Sequence, residues 1–285
     1  MPRRSFNGAT VLVTGAGGGL GHAIAEHFAA AGAHIVALDK DVAAVTRLQA
    51  ELEARGRACL AVACDVTDPD ACARAVAAAL ERFGAIDVLV NNAGMSHRSG
   101  LAETDLAVIR RVMDVNFYGA IHCTKAALPR LIERRGLVIA ISSVAGYTPL
   151  IARTGYAASK HALHGFFESL RTELAPQGVH VMMVCPSFIA TQIDRNALGG
   201  DGQPVRHAQV TIGHPLTPDA AAQQIVAGAA RDRRLLLIGR TARIAWWVSR
   251  LAPALYEKLM ARRLRGELES STTTARTAPE RKLRP

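Results

Sequence analysis

Aromatic residues are scarce, at 5% of a 285-residue chain that is 49% hydrophobic. A core built with so few rings must close on small aliphatic side chains, which suits helices packed tightly on a buried sheet. No uninterrupted apolar run of about 18 residues occurs, which argues against a membrane-spanning helix. The opening MPRRSFNGATVLVTG passes straight into a strand-like run, with no apolar stretch and cleavage site, so no signal peptide is expected. The cysteines are few and odd in number: Cys59, Cys64, Cys72, Cys123 and Cys185, with no CxxC pair. They read as free thiols in a reducing compartment, with neither a disulfide framework nor a metal site. Internal repeats are absent, and no linker is visible before residue 265.

The net charge is +10, unevenly placed. Residues 1–230 hold 20 Lys and Arg against 19 Asp and Glu, whereas residues 231–285 hold 14 against 5. The body is therefore near neutral, and the basic end needs its own explanation. No recognised nucleic-acid motif accompanies the basic residues, so no nucleic-acid partner is expected.

Short apolar runs alternate with helical periodicity. Strands are expected at 9–14, 34–39, 58–66, 86–94, 137–143, 179–186 and 234–239. Helices are expected at 19–32, 41–55, 69–84, 103–135 with a break, 154–175 and 217–231. Gly84 stands where a C-cap belongs, and Thr217-Pro218 suits a cap and first turn. Residues 187–215 read as irregular. Continuous apolar strands alternating with helices imply a parallel, doubly wound α/β sheet covered on both faces. The expected organisation is a domain over 1–240, a basic amphipathic helix over 241–265 and a disordered tail over 266–285.

After the first strand comes TGAGGGLG, residues 14–21. No three glycines there fit GxGxxG. Thr14, Gly15, Gly19 and Gly21 fit TGxxxGxG, with Leu20 inside the turn. Such a turn lets backbone N–H groups approach a pyrophosphate at a helix N-terminus. Read alone, it is either that cradle or a glycine-rich loop with no ligand. Asp39 ends the second strand, 18 residues after Gly21. A carboxylate there accepts ribose hydroxyls and repels a 2′-phosphate, which argues for NAD; the neighbouring Lys40 leaves NADP open. The bland alternative for Asp39 is a solvated turn residue.

More motifs follow in order: D65-V66, N91-N-A-G94, Asn116, Ser143, Y156-A-A-S-K160 and P186-S-F-I-A-T191. Together with the glycine turn they span residues 9–191, and the chain resembles the short-chain dehydrogenase/reductase family. The resemblance implies a Rossmann-like seven-stranded parallel sheet and an NAD(P)-dependent oxidoreductase acting on CH–OH groups. It implies that Asp65 and Val66 meet the adenine, that Asn92, Ala93 and Gly94 shape the loop beside the cofactor, and that Pro186, Ile189 and Thr191 cradle the nicotinamide. Ser187 stands where the family usually has glycine. It also implies a homodimer or homotetramer; the free thiols and the N-terminus argue for a cytoplasmic location, with peripheral membrane contact as an alternative.

The chemistry implied is hydride transfer between a carbinol carbon and a nicotinamide. A base must take the hydroxyl proton, and free tyrosine has a pKa near ~10. Tyr156 and Lys160 lie one helical turn apart, so the lysine's charge favours the phenolate. Ser143 would hold the substrate oxygen, with Ser142 as competitor; the spacing to Tyr156 favours Ser143. Asn116 would complete the tetrad by positioning a proton-relaying water. His161 and His164 read as packing or surface residues. His97 and Arg98 either line the substrate cleft or lie on a loop surface.

Specificity is expected from residues 95–100, 144–153 and 188–215. Tyr147, Leu150, Ile151, Phe188 and Ile193 make these segments largely apolar, with Arg153 and Asp194 as the fixed charges. A lipophilic alcohol or ketone is the expected substrate. In residues 241–265, Ile244, Trp247, Val248, Leu251, Leu255 and Leu259 share one helical stripe. Arg243, Arg250, Lys258, Arg262, Arg263 and Arg265 enrich the rest, and Pro253 is a candidate kink. The stripe either packs on the body or a subunit, covering the substrate cleft, or lies on an anionic membrane. Two other functions compete: a cofactor-sensing regulatory protein on the same fold, and a membrane-associated lipid- or steroid-type reductase.

Overall fold

The structure, a computed structural model, describes residues 4–191, 193, 196–205 and 214–276, with the backbone path alone for 265–276. Seven strands are formed: β1 (Thr10–Thr14), β2 (His34–Asp39), β3 (Cys59–Ala63), β4 (Val88–Asn91), β5 (Leu137–Ile141), β6 (His180–Pro186) and β7 (Leu235–Ile238). The helices between and after them are α1 (Gly19–Ala30), α2 (Val42–Glu53), α3 (Pro69–Phe83), α4 (Leu106–Met113), α5 (Gly119–Glu133), α6 (Thr154–Leu174), α7 (Pro218–Ala229), α8 (Arg240–Leu251) and α9 (Pro253–Arg276). The strands make one sheet in the order β3-β2-β1-β4-β5-β6-β7, every pair parallel. This is the expected Rossmann-like, doubly wound arrangement. The winding reverses between β1 and β4, which opens a crevice at the carboxyl ends of those strands.

Neighbouring residues of a strand face opposite sides of the sheet. Val11, Val13, Ile35 and Ile139 pack in one core, beneath α1 and α7. Leu12, Val36, Leu38 and Val138 pack in the other, beneath α3, α5 and α6. The expected caps are present: Gly84 ends α3 at φ +75°, and the Thr217 hydroxyl accepts the Ala220 N–H at 3.2 Å. All five cysteines are buried free thiols, and burial pushes the Cys59 thiol up to about 12.

The helical stretch expected over 103–135 has no gap between α4 and α5. The two are joined by a π turn at Asp114–Tyr118. A π turn takes one extra residue into the helix and shifts the face that follows. Asn116 sits in it and is buried.

The C-terminal end differs from expectation in two ways. Residues 241–265 form two helices, because Ala252 leaves helical geometry (φ −144°, ψ 65°). Pro253 then opens α9, where its missing N–H costs nothing. And α9 runs on to Arg276, so residues 266–276, expected as disordered tail, are helical. Extending an existing helix needs no new nucleus. Residues 277–285 lie outside the described residues.

Candidate active site

From the end of β1 the chain turns through Gly15 (φ +66°) and Gly19 (φ +55°), conformations that L side chains rarely adopt. Gly21 answers a different demand: a Cβ there would run into the Gly15 carbonyl oxygen. α1 then starts from Gly18 with no acidic residue in its first turn. The positive end of its dipole is not offset by a carboxylate of its own first turn.

Thr14 is buried, and its hydroxyl works inside the fold. It donates to the Val90 carbonyl at 3.2 Å and accepts the N–H groups of Asn92 and Ala93 at 2.9 and 3.0 Å. The Asn92 amide donates in return to the carbonyls of Thr14 and Gly15. The glycine turn and the loop after β4 are thereby locked together. Asp39 is fixed at the rim of the same turn: its carboxylate accepts the Gly17 N–H at 2.9 Å and the Asp41 N–H at 3.0 Å.

A cleft of about 390 Å³ opens here. Its wall brings together Gly15, Gly19, Leu20, Asp39, Asn92, Ala93, Gly94, Ser143, Tyr156, Lys160, Pro186, Ile189 and Thr191. Thr14, Gly21, Asp65, Val66 and Asn116 are not on that wall. Asp65 is exposed and accepts the Thr67 N–H and hydroxyl at 2.9 and 2.8 Å, bonds that hold its carboxyl below the usual range. Val66 is buried against Gly119, and its carbonyl meets the His122 ring nitrogen at 3.0 Å. Ser187 packs over Gly239, whose φ of +93° suits glycine.

The two serines after β5 both reach the cleft wall but differ in burial and partners. Ser142 is buried and donates to the Lys160 carbonyl at 3.3 Å. Ser143 is half-buried, lines the cleft and accepts the Ala145 N–H at 3.2 Å. That bond uses an acceptor site and leaves the hydroxyl proton to be aimed elsewhere. Lys160 is buried and donates to the Ile141 carbonyl at 2.9 Å. Its ammonium lies 5.7 Å from the centre of the Tyr156 ring. Burial lowers its pKa to about 8, opposed by the Cys185 thiol.

Asn116 reaches this machinery from behind. Its carbonyl oxygen accepts the Met95 N–H at 2.7 Å, and its amide donates to the Met95 carbonyl and the Ser159 hydroxyl, each at 2.9 Å. Ser159, the serine of YAASK, is itself buried. Gly94 leaves the room: a Cβ there would lie 3.3 Å from the Asn116 oxygen. Asn116→Ala is expected to cost about 2–4 kcal/mol, since it strands several polar groups near the core. Urea unfolding reads this; a loss below ~1 kcal/mol would show that the clamp contributes little.

His97 and Arg98 are neither on the loop surface nor on the cleft wall; both are buried. The His97 Nε2 accepts the Gly155 N–H at 2.9 Å, and burial, with Arg153 nearby, lowers its pKa to about 4. It stays neutral and positions the start of α6. His164 packs between Glu168 and Cys185, and His161 is exposed. The cleft wall also includes Met95, Ser96, Leu150, Arg153, Phe188, Ile193 and Asn196; Asp194 lies outside the described residues. Thr241, Tyr256 and Met260 also line it, residues that the sequence reading missed. Of these, Tyr256 is buried on the inner side of α9.

Fold and cleft together are those of a nucleotide-dependent oxidoreductase, and the chain belongs to the short-chain dehydrogenase/reductase family. The family profile described as short chain dehydrogenase matches residues 9–200. The chain is 38% identical over 277 residues to dehydrogenase/reductase SDR family member 7B of Bos taurus, covering 94% of this chain and 85% of that protein. It is 34% identical over 267 residues to dehydrogenase/reductase SDR family protein 7-like of Anopheles gambiae, covering 91% and 84%. A crystal structure of a short chain dehydrogenase/reductase SDR from Burkholderia phymatum in complex with NAD superposes at a TM-score of 0.78. That chain is 27% identical, and the match covers 88% of this chain and 96% of that one.

Proposed function

We propose that this protein oxidises a lipophilic secondary alcohol, or reduces the matching ketone, with NAD as the preferred dinucleotide. The observation that carries the reading is that Ser143, Tyr156 and Lys160 share one cleft with the glycine turn and Asp39. The cradle fits a dinucleotide, because Gly15 and Gly19 have positive φ and Gly18 has nothing within 4 Å of where a Cβ would stand. Gly15, Gly19, Leu20, Asn92, Ala93 and Gly94 would hold its phosphate and ribose parts, Asp39 the adenosine ribose, and Pro186, Ile189 and Thr191 the nicotinamide. Such a cofactor, when bound, supplies the hydride acceptor or donor.

The chain's own residues do the rest. The Ser143 hydroxyl donates to the substrate oxygen. The Tyr156 phenol takes or returns the proton on that oxygen, and the Lys160 ammonium favours the phenolate. Asn116 acts as a positioning residue through Met95 and Ser159, beside the route by which the proton leaves. Met95, Leu150, Phe188 and Ile193 on the wall favour a lipophilic substrate, with Arg153 as a buried cation beside them. A cofactor-sensing protein without catalysis would not need this serine, tyrosine and lysine in one cleft. A homodimer or homotetramer in the cytoplasm, or at a membrane surface, belongs to the same reading.

Fluorescence titration with NAD⁺ and NADP⁺ tests it. NAD⁺ is expected to bind at least about tenfold more tightly, because Asp39 repels a 2′-phosphate. Asp39→Ala is expected to close most of that gap. Tighter binding of NADP⁺ by the wild type would mean that Lys40 outweighs Asp39, and no binding of either would sink the enzyme reading.

A further inference from the structure

α8 and α9 carry two unlike faces. The inner face is anchored. Ala242, Ala245 and Tyr256 are buried, the Tyr147 hydroxyl donates to the Ala242 carbonyl at 2.8 Å, and the Tyr147 and Trp246 rings meet edge-on at 4.9 Å. The outer face is apolar and open: Ile244, Trp247, Leu251, Leu255 and Leu259 are each between 43% and 78% exposed. On α8, Ile244, Trp247 and Leu251 recur at three and four residues, and on α9 Leu255 and Leu259 recur at four. Five large exposed apolar side chains on two successive helices are unusual on a surface that meets only water.

The rim of the stripe is cationic. Arg240, Arg243, Arg250, Lys258, Arg262 and Arg263 are exposed, and Glu257 is the one acid between residues 240 and 264. We infer that this face seats on an anionic lipid bilayer, the stripe entering the boundary between headgroups and acyl chains and the rim meeting lipid phosphates. A second copy fits the face poorly. A two-fold contact would press one cationic rim against the other. No helix among the described residues is long and apolar enough to cross a membrane, so the contact is interfacial.

The placement bears on substrate. Thr241, Tyr256 and Met260 of the same two helices line the cleft, so the bilayer would rest on the outer side of the cleft's own wall. A membrane-dissolved alcohol or ketone is the substrate class this favours. That last step rests on the oxidoreductase reading; the docking itself does not.

The test is sedimentation of the full chain with vesicles of phosphatidylcholine alone and with about a third phosphatidylglycerol. Binding is expected to the anionic vesicles, at least about tenfold weaker to the neutral ones, and weakened by salt. Trp247→Ser with Leu251→Ser, at exposed positions, is expected to lower the anionic-vesicle binding at least about tenfold. Arg243→Ala with Arg262→Ala is expected to lower it about fivefold per charge. Failure of the wild type to sediment with anionic vesicles would overturn the inference. So would a serine double variant that binds vesicles as the wild type does, or one that turns a dimer into a monomer with vesicle binding unchanged. NAD titration of the same variants is read separately, so losing vesicle binding alone leaves the proposed reaction standing.

Discussion

Tyr156→Phe is expected to lower kcat by about 10³-fold on any secondary alcohol the wild type oxidises, with NAD⁺ affinity nearly unchanged. The substitution keeps the ring, which is half-buried on the cleft wall, and removes only the hydroxyl. A positioned acid–base group contributes roughly 10²–10⁴ in rate, and the other phenol on that wall, Tyr256, is buried, which pushes its pKa up. Ser143 already accepts the Ala145 N–H, and in the proposed reaction its proton goes to the substrate oxygen. Tyr147, the nearest other phenol in sequence, gives its proton to the Ala242 carbonyl, and burial pushes its pKa far up. Steady-state kinetics over a panel of hydrophobic secondary alcohols, beside cofactor titration, makes the check. A Phe variant keeping more than a tenth of the wild-type rate would remove Tyr156 from the chemistry.

Much of this was legible because the physics is local. In TVLVT every residue is buried, as a short, nearly continuous apolar run ahead of a glycine turn and a helix predicts for an interior parallel strand. Spacing to Tyr156 favoured Ser143 over Ser142; both line the cleft, and Ser142 is the more buried of the two. The π turn was not legible. Residues 103–135 keep a helical pattern on both sides of it, and one extra residue is too small a phase shift to read from periodicity. The orientation of α8 was not legible either. Its aliphatic stripe is the more conspicuous face, yet the packed face is made of Ala242, Ala245 and Trp246, where small residues admit Tyr147 and its hydrogen bond to the backbone. Long-range contacts decided that, and nothing within residues 241–265 encodes them. The second duty of YAASK was hidden for the same reason. Ser159 looks like a small spacer until the π turn brings Asn116 to it.

Lys160→Met is expected to abolish turnover and yet leave the protein as stable as the wild type or more so at pH 7. The buried ammonium has a pKa of about 8 in the fold against an ordinary value of 10.5. Below pH 8 the lysine is charged in both states, and the fold bears the full cost of burying the charge, about 3 kcal/mol. Methionine removes that cost. It also leaves the Ile141 carbonyl without the Lys160 donor, a loss of about 1–3 kcal/mol, so the two effects nearly cancel or favour the variant. The pH dependence separates them. Between pH 8 and 10.5 the unfolded chain binds the Lys160 proton and the fold has lost it. Wild-type stability therefore gains from this residue as pH rises through that window, and the variant gains nothing. The buried thiols act in the opposite sense, since the Cys59 pKa is raised to about 12 and an unfolded thiol ionises earlier. Cys59 acts equally in both proteins, so the difference between wild type and variant reports the lysine together with its coupling to Cys185. Urea unfolding at pH 7 and pH 10 should show the wild type gaining on the variant by about 2–3 kcal/mol. A difference independent of pH would mean that Lys160 is hydrated in solution, and that its charge reaches Tyr156 through water rather than through the buried wall of the cleft.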